Sequence, residues 1–177
     1  MSEEAIKAAL RRMPYGFYAL TSKHGEEVNA MVINWITQAS FEPRLITIGL
    51  QKTSFSYGLI EEGNVFALNL FLKTDVDSIK PFTKSRSKNP AKMVNATYTE
   101  APETGCPILE NAAAFIECKV VAIHETGGDH NLVVGEVIEA GINKEGKVQD
   151  SLTLLDLGWS YSGYLLRISE IFKITGM

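Results

Sequence analysis

Turn signals recur at short intervals along this chain, and they leave room only for brief strands and helices. His24-Gly25-Glu26, Pro43, Gly63-Asn64, Gly127-Gly128 and Asn143-Lys144-Glu145-Gly146 each punctuate runs rich in apolar and β-branched residues. Ser2 to Arg12, with Ile6 and Leu10 four apart, reads as a short helix ended by Pro14. Tyr15 to Ser22 and Val28 to Gln38 read as a hairpin, and Arg44 to Leu50 as a further strand. Thr53 to Glu62 reads as a helix and Val65 to Leu72 as a strand. A helix opens at Thr74-Asp75-Val76-Asp77 and is broken by Pro81. Residues 81–111 are punctuated by Pro90, Pro102, Gly105 and Pro107, so long regular elements are not expected there. Ala113 to Ile123 and Asn131 to Ala140 are strands. Leu152 to Leu157 is a helical turn or short strand, and Tyr164 to Ile174 ends the chain extended. Many strands joined by short turns predict a mainly β fold, a closed barrel with short helices. The 177 residues suit a single domain over 1–177.

Composition narrows the function classes. The net charge of −4 argues against a nucleic-acid binder, whose affinity would rest on Lys and Arg contacts to phosphate. No apolar run reaches the roughly 20 residues that a membrane span requires. The first dozen residues carry Glu3 and Glu4 and no long apolar core, so no signal peptide is expected, and cytoplasmic residence is the default. Cys106 and Cys118 are the only cysteines and form no C-x-x-C pair. Cys118 reads as a core residue of a strand and Cys106 as loop. A metal site is not expected, because no histidine pair stands at i, i+4.

Four features carry candidate chemistry. The segment Asn29-Ala30-Met31-Val32-Ile33-Asn34-Trp35-Ile36-Thr37-Gln38-Ala39-Ser40 is apolar on both faces, yet amides and a hydroxyl interrupt it. Buried without partners, each would cost about 1–3 kcal/mol, so they face neighbouring backbone or the edge of a polar aromatic ligand. Lys52-Thr53-Ser54 opens a helix, where free N–H groups and the positive dipole end suit a phosphate; Thr53 as a plain helix cap is the competing reading. Gly127-Gly128-Asp129-His130 sets His130 at a strand entrance, as a site residue or a satisfied rim residue. Lys80, Lys84, Arg86, Lys88 and Lys92 form a basic stretch, either a solvated face or a lid attracting phosphates. G-x-G-x-x-G, P-loop and G-x-S-x-G motifs are absent, which suits a cofactor bringing its own reactivity.

The order of these pieces resembles the flavin reductase-like family, of FMN-binding split-barrel fold, in its flavoredoxin-like branch. The resemblance rests on Asn29-Ala30-Met31, Thr37-Gln38-Ala39-Ser40, Phe41-Glu42-Pro43 and Lys52-Thr53-Ser54. Gly63-Asn64-Val65-Phe66-Ala67-Leu68-Asn69 and Gly128-Asp129-His130 with Gly135-Glu136-Val137 complete it. It implies a flavoprotein oxidoreductase that binds FMN, with FAD possible, and takes hydride from NADH or NADPH. The alternative it implies is an electron carrier acting with a redox protein partner; a haem or deazaflavin binder is a further one. It also implies a homodimer. By position it implies flavin contacts from Asn29, Ala30, Met31, Val32, Trp35, Thr37, Gln38, Ala39 and Ser40. Phosphate contacts would come from Lys52, Thr53 and Ser54, a covering ring from Tyr161 and, more weakly, Trp159, and a catalytic role from His130.

Overall fold

The computed structural model describes residues 2–161 and 165–167. In chain order the principal elements are α1 (Glu3–Leu10), β1 (Tyr18–His24), β2 (Glu27–Ile33), β3 (Ile36–Ser40), β4 (Leu45–Gln51), α2 (Phe55–Gly63), β5 (Val65–Leu70) and α3 (Val76–Ile79). They continue as β6 (Tyr98–Glu100), β7 (Pro107–Leu109), β8 (Ala114–His124), β9 (His130–Ile142), β10 (Trp159–Tyr161) and β11 (Leu165–Arg167). The remaining part of the predicted extended terminus, Tyr164 to Ile174, lies outside the described residues.

Seven strands form one antiparallel sheet in the order β2-β1-β5-β8-β9-β4-β3. Its two ends, β2 and β3, are consecutive in sequence and joined by Asn34-Trp35. The sheet rolls so that inward residues from both ends meet. Leu20, Ile33, Ile46, Ile48, Leu50, Phe66, Leu68, Cys118 and Val133 share one cluster with Tyr57 and Ile60 of α2, and Ile36 packs against it. That is a barrel split along the β2–β3 line, plugged by α2. Full burial of each such Leu, Ile or Phe side chain contributes roughly 1.5–3 kcal/mol. Gly135 lets Phe66 lie flat across the sheet, since a Cβ there would stand 2.6 Å from the ring.

A second cluster lies on the outer face of β1, β2 and β5. Phe17, Ala19, Ala30 and Phe71 meet Ile79, Phe82, Leu109, Ala112, Leu152 and Leu154. Strands β1 and β2 are therefore covered on both faces, the physical reason their sequence is apolar on both. The stretch around β6 and β7 is pinned by Asn69, which donates to Thr21 Oγ1 and Pro107 O and accepts from Leu109 N.

Several sequence expectations change. The strand expected over Val28 to Gln38 is two strands, broken at Asn34-Trp35, because β3 leaves β2 to pair with β4. Residues 81–111, expected irregular, still supply β6 and β7. Cys106 does lie in a loop, just before β7, but a fully buried one, and burial pushes its thiol up to about 11. The helix cap is Ser54 rather than Thr53: the Ser54 hydroxyl accepts from Tyr57 N at 3.2 Å. The basic stretch is only partly a solvated face. Lys92 is buried with Nζ donating to Lys84 O, and Arg86 stacks 4.1 Å over the Phe55 ring while pairing with Glu27.

Candidate functional site

Alternation along β4 builds the site. Ile46, Ile48 and Leu50 enter the core, so Thr47 and Gly49 fall on the outer face. There they line a cleft of about 470 Å³ with Asn34, Trp35, Ile36, Thr37, Leu132 and residues 13–16. Gly49 leaves room along it for the Trp35 side chain. A Cβ at that position would stand 3.2 Å from the Trp35 ring, which lies along the strand. Asn34 has its Nδ2 buried without a hydrogen-bond partner. A flat, partly apolar shelf with one unspent amide donor and two threonines fits the polar edge of a flavin ring system.

His130 stands beside this shelf, its ring centroid 4.7 Å from that of Trp35. Its Nδ1 lies 2.9 Å from Asp129 Oδ1. That hydrogen bond, reinforced by charge attraction from His130 and Lys52, holds the Asp129 carboxyl below its ordinary range. Asp129 is therefore a carboxylate acceptor near neutrality, Nδ1 is the donor, and Nε2 is left for a ligand. The loop before His130 is closed by Thr126, whose hydroxyl bonds His130 O and accepts from Gly128 N.

Backbone pairing ties the helix start to the same place. Lys52 N donates to Asp129 O at 3.1 Å, and Gln51 pairs with His130. Lys52 and Thr53 are exposed at the start of α2, with Ser54 half-buried. Helix α2 is itself seated by a buried cluster in which Asn29 Nδ2 donates to Ser56 Oγ at 2.9 Å and Ser22 joins Ser56 at 3.1 Å.

The structure thus brings Trp35 and Thr37 to the cleft and His130 beside it, with Lys52 tied through its backbone to Asp129 and Thr53 and Ser54 following it at the start of α2. It does not bring Asn29, Ala30, Met31 or Val32 there. Asn29 and Met31 point into the barrel, and Ala30 and Val32 into the second core. Gln38 and Ser40 line a separate cleft of about 270 Å³ with Phe41 and Arg44, and Ala39 is exposed at the bulge between them. Trp159 meets Phe17 edge-on at 5.9 Å, away from the shelf. Tyr161 pairs with Leu165 through its backbone, and its side chain lies outside the described residues. Missing from the sequence reading were Thr47, Gly49 and Leu132 on the shelf, and Asp129 as the partner of His130. The strict alternation Ile46-Thr47-Ile48-Gly49-Leu50 was the available signal for the first two.

Comparison with known families decides the kinship. The family described as "Flavin reductase like domain" matches residues 10–164. The chain belongs to the flavin reductase-like family. Among curated relatives of this flavin reductase-like chain, a diflavin flavoprotein of Nostoc sp. is 32% identical over 78% of the chain, covering 24% of that protein. The chain therefore spans about a quarter of the length of that relative. An NADPH-flavin oxidoreductase of Streptomyces viridifaciens is 26% identical over 76% of the chain and 70% of its own length. Among solved structures, a Streptomyces globisporus NADH:FAD oxidoreductase in complex with NAD and FAD fragments aligns with a TM-score of 0.71. It is 22% identical and covers 94% of this chain and 92% of that one, a likeness of fold. Among the described residues no helix is long and apolar enough to cross a membrane, and no three-residue His, Cys, Asp or Glu group suited to a metal occurs.

Proposed function

We propose that this chain is an NAD(P)H-dependent flavin reductase binding FMN or FAD, with the ring system on the Trp35–Gly49–Thr47 shelf. The observation that carries this reading is the shelf itself: a glycine-opened face, an unspent Asn34 donor and His130 beside it, in a chain of this family. A flavin, when bound, accepts hydride from a reduced nicotinamide and hands electrons to an acceptor. Thr37 and Thr47 hold the ring by hydrogen bonds, and Lys52 with the α2 N-terminus holds the phosphate. Leu132 and Trp35 exclude water from the reacting face. His130, oriented by Asp129, presents Nε2 to position the nicotinamide or to hold a proton.

A homodimer is part of the same reading. Leu132 on the cleft wall and Ile138 further along β9 are exposed, and a second copy covering this strand would enclose the flavin. The likeness to proteins named for two flavins supports a second reading, in which electrons pass to a redox protein partner. The test is titration of the chain with FMN and FAD by fluorescence, followed by NADH or NADPH oxidation. Saturable flavin uptake with nicotinamide turnover supports the reductase. Uptake with reduction only by a protein partner supports the carrier, and absence of uptake refutes both.

A further inference from the structure

The outer-face cleft continues past Gly16. Met13, Pro14, Tyr15 and Gly16 form one wall of it and also a wall of a second cavity of about 440 Å³, reached over Tyr18 and bounded by Val148 and residues 151–155. At the junction Gly16 has no room for a side chain, because a Cβ there would stand 2.1 Å from Tyr18 Oη. Arg11 and Arg12 line this second cavity, and among the described residues no carboxylate does. Both arginines are exposed, and among the described residues neither lies within ion-pair distance of an acid. The nearby acids are otherwise engaged. Asp156 accepts from Thr153 and pairs with Lys73, and Asp150 accepts from Lys147 N. Arg11 at the end of α1 also suits the negative end of the helix dipole, but that accounts for neither the cavity nor its lack of acids.

Two cavities that share the wall of residues 13–16, one a neutral shelf and the other carrying two guanidinium groups without an ion-pair partner among the described residues, match a ligand of two parts: a ring and a polyanionic arm. Guanidinium forks are suited to paired contact with phosphate oxygens. We infer that the second cavity binds the pyrophosphate-linked nucleotide arm of a dinucleotide whose redox ring occupies the shelf, with Arg11 and Arg12 as its phosphate contacts. The inference rests on the flavin reading above. The arm is that of the nicotinamide dinucleotide, because the arm of FAD would extend from the flavin phosphate at Lys52 and the α2 N-terminus, and a mononucleotide would reach only the shelf.

The experiment uses the full chain carrying Arg11→Gln and Arg12→Gln together, with unchanged thermal melting as the check on folding. If the arm is that of the nicotinamide dinucleotide, KM for NADH rises about tenfold relative to KM for reduced nicotinamide mononucleotide. The wild-type KM for NADH then also climbs with ionic strength, while that of the variant stays flat. A rise of about tenfold in the Kd for FAD relative to that for FMN, with KM for NADH unchanged, would overturn this assignment. Changes below about twofold in both comparisons, in a chain that still takes up FMN, overturn the inference alone. A wild-type chain that takes up no flavin removes the flavin reading and the inference together.

Discussion

Replacing Lys92 with methionine should make the protein more stable near neutrality, and the gain should vanish in alkali. Lys92 is 3% exposed, and its ammonium bonds only Lys84 O among the described residues. Burial, and secondarily the nearby Arg86, push its pKa from 10.5 to about 8. Below pH 8 the folded state carries a charge that the same residue would hold at less cost in the unfolded chain. Between about pH 8 and 10.5 the unfolded chain binds the extra proton, so this group makes stability rise with pH across that window. The displacement corresponds to about 3 kcal/mol at neutrality. Methionine fills a similar volume but leaves the Lys84 carbonyl without its donor, a loss of about 1 kcal/mol. The net expectation is a variant more stable by about 2 kcal/mol at pH 6.5 and less stable by about 1 kcal/mol at pH 10.5. Urea unfolding followed by circular dichroism at several pH values measures it. The difference between variant and wild type must be used, because the buried Cys106 and Cys118 thiols, pushed up to about 11 and about 12, lower stability in the opposite sense above pH 9. A variant destabilised at pH 6.5, or a gain that persists unchanged to pH 10.5, would refute this account of Lys92.

Four further outcomes are expected. His130→Ala should lower the rate of flavin reduction by about a hundredfold while changing the flavin Kd by less than about threefold, measured by stopped flow and fluorescence titration; a larger effect on Kd makes His130 a binding residue. Lys52→Ala with Ser54→Ala should weaken FMN binding by about tenfold. FMN retention by this double variant equal to wild type would undo the phosphate assignment. Ser54→Ala alone should cost about 1 kcal/mol in urea unfolding, because its hydroxyl caps α2, and an unchanged midpoint would remove that role. Gly135→Ala should destabilise by about 1–3 kcal/mol and lower Tm by several degrees, since its Cβ would press on Phe66; an unchanged Tm would show that the ring moves aside freely.

Much of the fold was legible because it is written in local signals. Gly25, Pro43 and Gly63-Asn64 bound their elements as turn chemistry dictates, and β8 and β9 lie close to their expected places. What could not be read was which strands pair beyond the β1–β2 hairpin. Asn34-Trp35 looks like the middle of one continuous apolar run, and only the pairing of β3 with β4 reveals it as the split in the barrel. The same limit blurred the site. Asn29 to Val32 look like ligand contacts because amide and apolar residues mix there, but the strand is covered on both sides and the Asn29 amide turns inward to donate to Ser56. Thr47 and Gly49 stand in an ordinary-looking strand and gain their meaning from Trp35, twelve or more residues away. Lys92 reads as surface charge, and only the packing of its own segment shows it buried.

The proposed function turns on whether reduced nicotinamide delivers electrons directly to flavin held on the Trp35–Gly49 shelf. The decisive measurement is anaerobic mixing of the flavin-loaded chain with NADH or NADPH, following loss of the oxidised flavin absorbance in a single turnover. Rapid bleaching of bound flavin by one of the two nicotinamides, slowed in His130→Ala, is the predicted result. A chain that holds flavin yet stays oxidised with both nicotinamides, or that holds none, would contradict it.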